Sequence, residues 1–223
     1  MKPMIRLAVV ALGAGLISVG CLGCAYVLAT TNDSGSSEIT SREIPWDGSH
    51  SLSLGVRSVV RYVQTEGTGK VVARGPHRSV STLVVSNGEI HDQLLHTGGT
   101  LEITVFAPAI SEFHLNGGSR LSIEAYDQKI LTLSTEGSAA VEASGRADEV
   151  FIGMTGSGVV NLSRFTADSA TANLGGMSTL VVAPSLKANL QVRNFASAVL
   201  LTRPDALSTA LADSGRVVDA AAR

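Results

Sequence analysis

The stretch TEGSAAVEASGRADEVFIGMTGSGVVNLSRFTADSATANLGG, residues 135–176, decides the fold. Within it Gly137-Ser138 returns as Gly156-Ser157, and Ala147-Asp148 returns as Ala167-Asp168. Working outward, the turn-serine mark recurs as Gly118-Ser119, Gly137-Ser138, Gly156-Ser157, Met177-Ser178 and Ala196-Ser197, with the serines 19, 19, 21 and 19 residues apart. A second mark runs out of phase with the first, because Asp127, Asp148 and Asp168 stand 21 and 20 residues apart. Two marks on one period describe a chain that winds, each coil of about 20 residues lying on the one before it.

The composition agrees. Of 223 residues only 4% are aromatic and 16% charged, and glycine is abundant. Large rings usually fill a globular core. Without many of them, a narrow interior of aliphatic side chains stacked on their equivalents in the next coil is expected. The net charge of -2 and the lack of any Lys/Arg cluster exclude nucleic acid as a partner. Both cysteines, Cys21 and Cys24, fall in the first apolar stretch, so the remainder of the chain has neither a disulfide nor a thiolate metal site.

Short β-branched runs, Leu52–Val63, Val71–Ala73, Ser81–Val85 and Leu101–Phe106, alternate in part and are separated by Gly67, Gly69, Gly75-Pro76, Asn87-Gly88, Gly98-Gly99 and Pro108. A helical period is absent before Asp205–Ala212, so the chain reads as all-β. In the repeats, the positions two and four after each marker serine are Leu121/Ile123, Ala140/Glu142, Val159/Asn161, Leu180/Val182 and Val199/Leu201. Inward-facing strand positions are aliphatic. Glu142 and Asn161 break that ladder, and turning Val141 or Leu162 inward by a one-residue shift mends it. A small residue before each strand suits a tight corner. The recurrent Asp suits a turn, where its carboxylate bonds nearby amides.

At the N-terminus Lys2 and Arg6 precede an uncharged run, Leu7 to Ala29. At 1.5 Å per residue it would span about 35 Å, enough for a bilayer core. Residues 1–29 therefore read as a cleaved signal peptide, with Val27-Leu28-Ala29 before the cut, or as a retained membrane anchor. A lipoprotein reading rests on Gly20-Cys21, where an acylated Cys21 would hold the chain to a membrane. All three place the remainder of the chain outside the cytoplasm. Residues 30–43, rich in Ser and Thr, read as a flexible linker. Residues 44–205 read as the β-helix domain, and 206–223 as a cap or tail, with Ser214-Gly215 marking one more degenerate coil if there is one.

The 135–176 stretch, with the upstream VVRYVQTEGTGKVVARGP and LEITVFAP, resembles the auto-transporter adhesin head GIN domain family (DUF2807), over about residues 52–205. The resemblance implies a right-handed parallel β-helix on the outer side of a bacterial cell membrane, in a family with no established catalytic activity. It supplies no functional residues to carry over. The pattern departs at Gly176-Met177-Ser178 and Phe195-Ala196-Ser197, which lack the full Gly-Ser-Gly.

Other motifs have plain readings beside functional ones. Gly67-Thr68-Gly69-Lys70 lacks the spacing and the Ser/Thr of a phosphate loop and reads as a hairpin-like turn. Gly153 to Gly158 reads as a corner, because no helix follows. His91 and His96, with Asp92, have too few ligands at the spacing of a zinc site. Asp127, Asp148 and Asp168 would stack at about 4.8 Å per coil in a regular helix and could serve as acid and base or hold Ca²⁺; repeated turn chemistry accounts for them without a ligand. Ser119, Ser138 and Ser157 have no histidine at a repeating offset to act as base. Trp46 and Tyr62 read either as a sugar-stacking platform or as packing against the first coil. No catalytic, cofactor-binding or metal residue is assigned, and no cofactor is expected. The expected function is an exported, non-catalytic envelope or surface module, adhesin-like, whose partners are the membrane through the N-terminal segment and a glycan or protein along its length. The alternative is a polysaccharide-degrading β-helix using the Asp ladder.

Overall fold

Alternation of inward aliphatic and outward polar residues, broken every few positions by a glycine or a polar turn, gives short strands that stack coil upon coil. A computed structural model describes residues 38–93 and 100–221. The segment expected to be a signal or anchor lies outside these residues, as do His96 and most of the linker. In chain order the strands are β1 (Ile39–Pro45), β2 (Ser51–Leu54), β3 (Ser58–Gln64) and β4 (Lys70–Pro76), then a short helix α1 (His77–Ser81). There follow β5 (Leu83–Ser86), β6 (Glu89–Asp92), β7 (Leu101–Ala107), β8 (Glu112–Leu115), β9 (Arg120–Asp127) and β10 (Ile130–Gly137). The coils continue through β11 (Ala140–Gly156), β12 (Val159–Leu174), β13 (Thr179–Val182), β14 (Pro184–Val192), β15 (Ser197–Leu200), β16 (Ala206–Leu211) and β17 (Arg216–Asp219).

From β8 onward every pairing is parallel, and it connects a strand with the strand one coil away, as in a parallel β-helix. Side A stacks β2, β8, β10, the later part of β11, the later part of β12, β14 and β16. Side B stacks β7, β3, β9, the first residues of β11 and β12, then β13, β15 and β17. A short third side runs from Ser144 to Ala147 against Arg164 to Ala167, and register shifts at Glu142/Ser144 mark the bend into it.

The inward columns follow the shifted register. On side B Val60, Leu121, Val141, Val160, Leu180 and Ala198 form one buried column; on side A Val150, Ala170 and Ala188 form another. Val141, Ala143, Val160 and Leu162 are buried, whereas Ala140, Glu142, Val159 and Asn161 face outward. Val199 and Leu201 also give way, to Ala198 and Leu200. The reason is that serine is not the repeating element. The register aligns Gly117, Gly137, Gly156, Gly176, Asn194 and Asp213 in one corner column, and all six have positive φ, between 57° and 101°. The marker serines occupy three different columns beside it: Ser138 and Ser157 one, Ser119 and Ser178 the next, and Ser197 the one after.

One column contains a polar rung. Thr135 is 2% exposed, and its hydroxyl has no hydrogen-bond partner among the described residues. An unpaired buried hydroxyl costs stability that a methyl of equal size does not. Thr135→Val is expected to stabilise by about 1 kcal/mol. A thermal melt higher by a few degrees checks it; a lower melt would mean that the hydroxyl is satisfied.

Two boundaries differ from the sequence reading, and the N-terminal end is built differently from the coils. Ile39 to Glu43, assigned to the linker, form most of β1, which pairs antiparallel with β4. Strand β4 in turn pairs antiparallel with β7, so an antiparallel layer closes the N-terminal end of side B. The β5–β6 hairpin closes that end of side A. Arg42 ties α1 into this layer by donating to the carbonyls of Ser81 and Leu83, both at 3.1 Å. At the other end β16 and β17 are one more parallel coil, so the solenoid extends past residue 205.

The interior is not purely aliphatic. Tyr62, Phe113, Tyr126 and Phe165 are buried, and their rings meet edge-on or tilted with centroids 5.3 to 6.5 Å apart. These rings form one continuous row through the interior, and Tyr126 and Phe165 lie at the third side.

Candidate functional site

Outward positions on side A are set by the same alternation that buries Val150, Ile152 and Met154. Between those residues Glu149, Phe151, Gly153 and Thr155 turn out. The coil before contributes Ile130, Thr132 and Ser134 to the same three columns; the coils after contribute Ser169, Thr171 and Asn173, then Lys187, Asn189 and Gln191. The columns of Phe151 and Gly153 thus carry mainly hydroxyl and amide groups, spaced about 4.8 Å along the solenoid axis, and the Glu149 column with Ile130, Ser169 and Lys187 borders them. Phe151, 38% exposed, lies between Thr132 and Thr171. Beside it Gly153 leaves a notch, because a Cβ added there would meet nothing within 4 Å. Ser134 and Asn173 flank the notch. Arg193 donates to the Asn173 side-chain carbonyl at 3.1 Å, so the amide NH₂ of this exposed residue is not used in that bond. An exposed ring beside oriented amides and hydroxyls is an arrangement that can stack on the apolar face of a pyranose and bond its hydroxyls.

Asp148 and Asp168 fall in register on adjacent coils, but Asp127 does not join them, so no three-rung ladder forms. Asp127 stands opposite Arg146, not Asp148, and accepts from the Arg146 Nε at 2.8 Å. That bond raises the Arg146 pKa further above its ordinary value. The extra residues at the third-side bend put Asp127 out of phase with the next coil. Asp168 accepts from the Ser185 hydroxyl at 3.3 Å, which is turn chemistry. Two neighbouring outward ion pairs on side B are also structural. Arg61 Nε donates to Glu124 at 2.8 Å and holds that carboxyl below its ordinary pKa, and Arg164 lies 3.8 Å from Glu142.

Trp46 and Tyr62 are 7% and 0% exposed, so neither forms a platform. The Trp46 indole donates to the Ser49 carbonyl at 3.1 Å, and it borders a cleft of about 250 Å³ with His50, Thr68 and Pro108. The polar groups there hold loops together. His50 Nδ1 lies 2.7 Å from the Ala109 carbonyl, and Asp47 accepts the Ser49 and Gly88 amides at 3.0 and 2.7 Å. Gly67 to Lys70 turns the chain from β3 into β4, but β4 pairs with β1 and β7 instead of β3, so the turn is not a hairpin. Gly153 to Gly158 is a corner, with Gly156 at φ 101°. Ser119 is buried and bonds the Val56 carbonyl at 3.1 Å, while Ser138 and Ser157 sit exposed at the corner. Phe151 escaped the sequence reading because VFIGM is a continuous apolar run, in which nothing marks the outward ring.

Stacked parallel coils closed at one end by antiparallel strands define a capped parallel β-solenoid. Residues 81–204, more than half of the chain, match the family described as "Putative auto-transporter adhesin, head GIN domain", and the chain belongs to that family. Its fold is similar to that of a "putative adhesin" from Bacteroides fragilis (14% identity, TM-score 0.59, covering 82% of this chain and 97% of that one). A "putative adhesin" from Parabacteroides merdae is also similar (11% identity, TM-score 0.54, 81% and 95% covered). So is a "putative lipid binding protein" from Parabacteroides distasonis (14% identity, TM-score 0.50, 80% and 95% covered). At these identities the likeness is one of fold. No curated protein matches the chain in sequence.

Proposed function

We propose that the chain is an exported, non-catalytic, adhesin-like module of the cell envelope that binds a glycan polymer along side A. Family membership and the basic flank before Leu7–Ala29 support export and tethering. The observation that carries the glycan reading is Phe151 beside the Gly153 notch, set in rows of Thr, Ser, Asn and Gln. Each contact of this kind is weak, and a polymer that spans several coils adds them.

The test is titration of the full chain with envelope polysaccharides of defined repeat. Phe151→Ala is expected to weaken binding about tenfold, the loss of one stacking contact. Gly153→Val, which fills the notch, is expected to do the same, while Val159→Ala on side B leaves binding unchanged. Equal affinities for the wild type and both side A variants would sink the reading.

A further inference from the structure

The two ends of the solenoid are built differently. Antiparallel β1 and β4, the β5–β6 hairpin and α1 close the N-terminal end. At the C-terminal end β16 pairs only with β14, and β17 only with β15, among the described residues. Every residue of β16 is exposed. Its inward column consists of Leu207, Thr209 and Leu211, in register with buried Ala188, Leu190 and Val192. Leu207 and Leu211 are 51% and 54% exposed, and Met177, Phe195, Leu186, Leu201 and Val218 add exposed apolar surface to these last coils.

Natural edge strands are protected by charge, proline or a bulge. Strand β16, ALSTAL, has no charged residue and no proline, and its pairing register with β14 is unbroken. We infer that this end docks a second copy of the chain, β16 against β16, about a two-fold axis through Thr209. Three features select a second copy. An antiparallel register centred on Thr209 places Leu207 opposite Leu211 of the other copy, so inward residues meet inward residues and the two apolar interiors become continuous. The end is close to neutral, with Lys187, Arg193, Arg203 and Arg216 against Asp205, Asp213 and Asp219, so two copies do not repel. At the opposite end the outermost strand of side B, β1, contains Glu43 and Pro45, which blunt it against strand addition, so the pairing is a closed, isologous dimer and not a head-to-tail filament.

The geometry extends the proposed function, and this step rests on the tethered reading. The chain enters the solenoid at the closed end, through β1, so the open end is the far one. Side B counts ten strands from β1 to β17, about 45 Å, and two copies joined end to end would separate their N-terminal entries by about 90 Å, with the tethers pointing apart. That arrangement joins chains from two facing surfaces, not neighbours on one.

Sedimentation of the full chain in detergent solution tests the pairing. The wild type is expected to dimerise with rising concentration. Thr209→Lys, which puts two like charges directly opposite, is expected to weaken the dimer about a hundredfold. In a Cys21→Ser/Cys24→Ser background, Thr209→Cys is expected to form a disulfide-linked dimer in air, because opposed antiparallel Cα atoms lie within disulfide reach. Thr132→Cys, on side A, is expected to stay reduced. A wild type that remains monomeric overturns the inference, as does a dimer that survives Thr209→Lys or a Thr209→Cys chain that dimerises without the disulfide. Loss of glycan binding in Phe151→Ala with dimerisation intact, or the reverse in Thr209→Lys, separates this pairing from the side A reading.

Discussion

Gly156→Ala is expected to destabilise the solenoid by about 3 kcal/mol or more, while Gly117→Ala, in the same corner column, costs only about 1 kcal/mol. Both glycines have positive φ, 101° and 70°. The difference is the coil on the N-terminal side. A Cβ on Gly156 would lie 2.4 Å from the Gly137 carbonyl oxygen and 2.8 Å from its nitrogen, and those are backbone atoms that cannot swing aside. The same construction at Gly117 meets nothing within 4 Å. Alanine at Gly117 therefore has only the conformational cost, whereas at Gly156 two coils must separate. The separation breaks the corner ladder in which the Ser157 amide bonds the Gly137 carbonyl and the Met177 amide bonds the Gly156 carbonyl, both at 2.7 Å. Urea unfolding of the two variants checks the difference, and amide exchange should show it to be largest in the coils on either side of the substitution. Equal losses at both positions would mean that φ alone governs the corner.

The corner also shows what could be read from residues and what could not. The period was legible because each coil needs the same turn, and Gly137 and Gly156 mark it. The phase was not, since Ser119 and Ser178 lie in the buried column beside the glycines and Ser138 and Ser157 in the exposed one. Ser197 stands in a third column, so counting from serine mixed three columns and sent Glu142, Asn161, Val199 and Leu201 inward. Asn194 and Asp213, with φ 58° and 57°, continue the column without glycine, so no composition signal identifies them. The Asp ladder holds between Asp148 and Asp168 but loses Asp127, because a register shift at the third-side bend displaces that residue, which spacing alone cannot reveal. The antiparallel closure at the N-terminal end was equally hidden. Strands β1 and β4 have the same alternation as the others, and their direction depends on partners distant in the chain. Of the candidate site, the rows of Ser and Thr were visible, but the outward ring of Phe151 was not.

Tyr126→Ala is expected to cost about 3–5 kcal/mol, close to what a domain of this size can spare. Tyr126 is 1% exposed and touches the rings of both Tyr62 and Phe165, so its loss opens a cavity in the interior and divides the aromatic row. Tyr126→Phe retains the ring and loses only the hydroxyl bond to the Ile130 carbonyl, about 1 kcal/mol. The hydroxyl also predicts a pH dependence. Burial raises the Tyr126 pKa well above its ordinary value of 10.0, with the nearby Tyr62 adding to the shift, and burial raises Tyr62 likewise. The folded state thus retains protons that the unfolded chain releases near pH 10. The associated stability is complete below that pH and declines as pH rises above it, by up to about 1.4 kcal/mol per pH unit for each tyrosine. Tyr126→Phe should flatten this alkaline decline while lowering stability slightly at neutral pH, so the two unfolding curves should converge as pH rises. Parallel curves would show that the Tyr126 hydroxyl ionises as freely in the fold as outside it, which its burial among rings forbids.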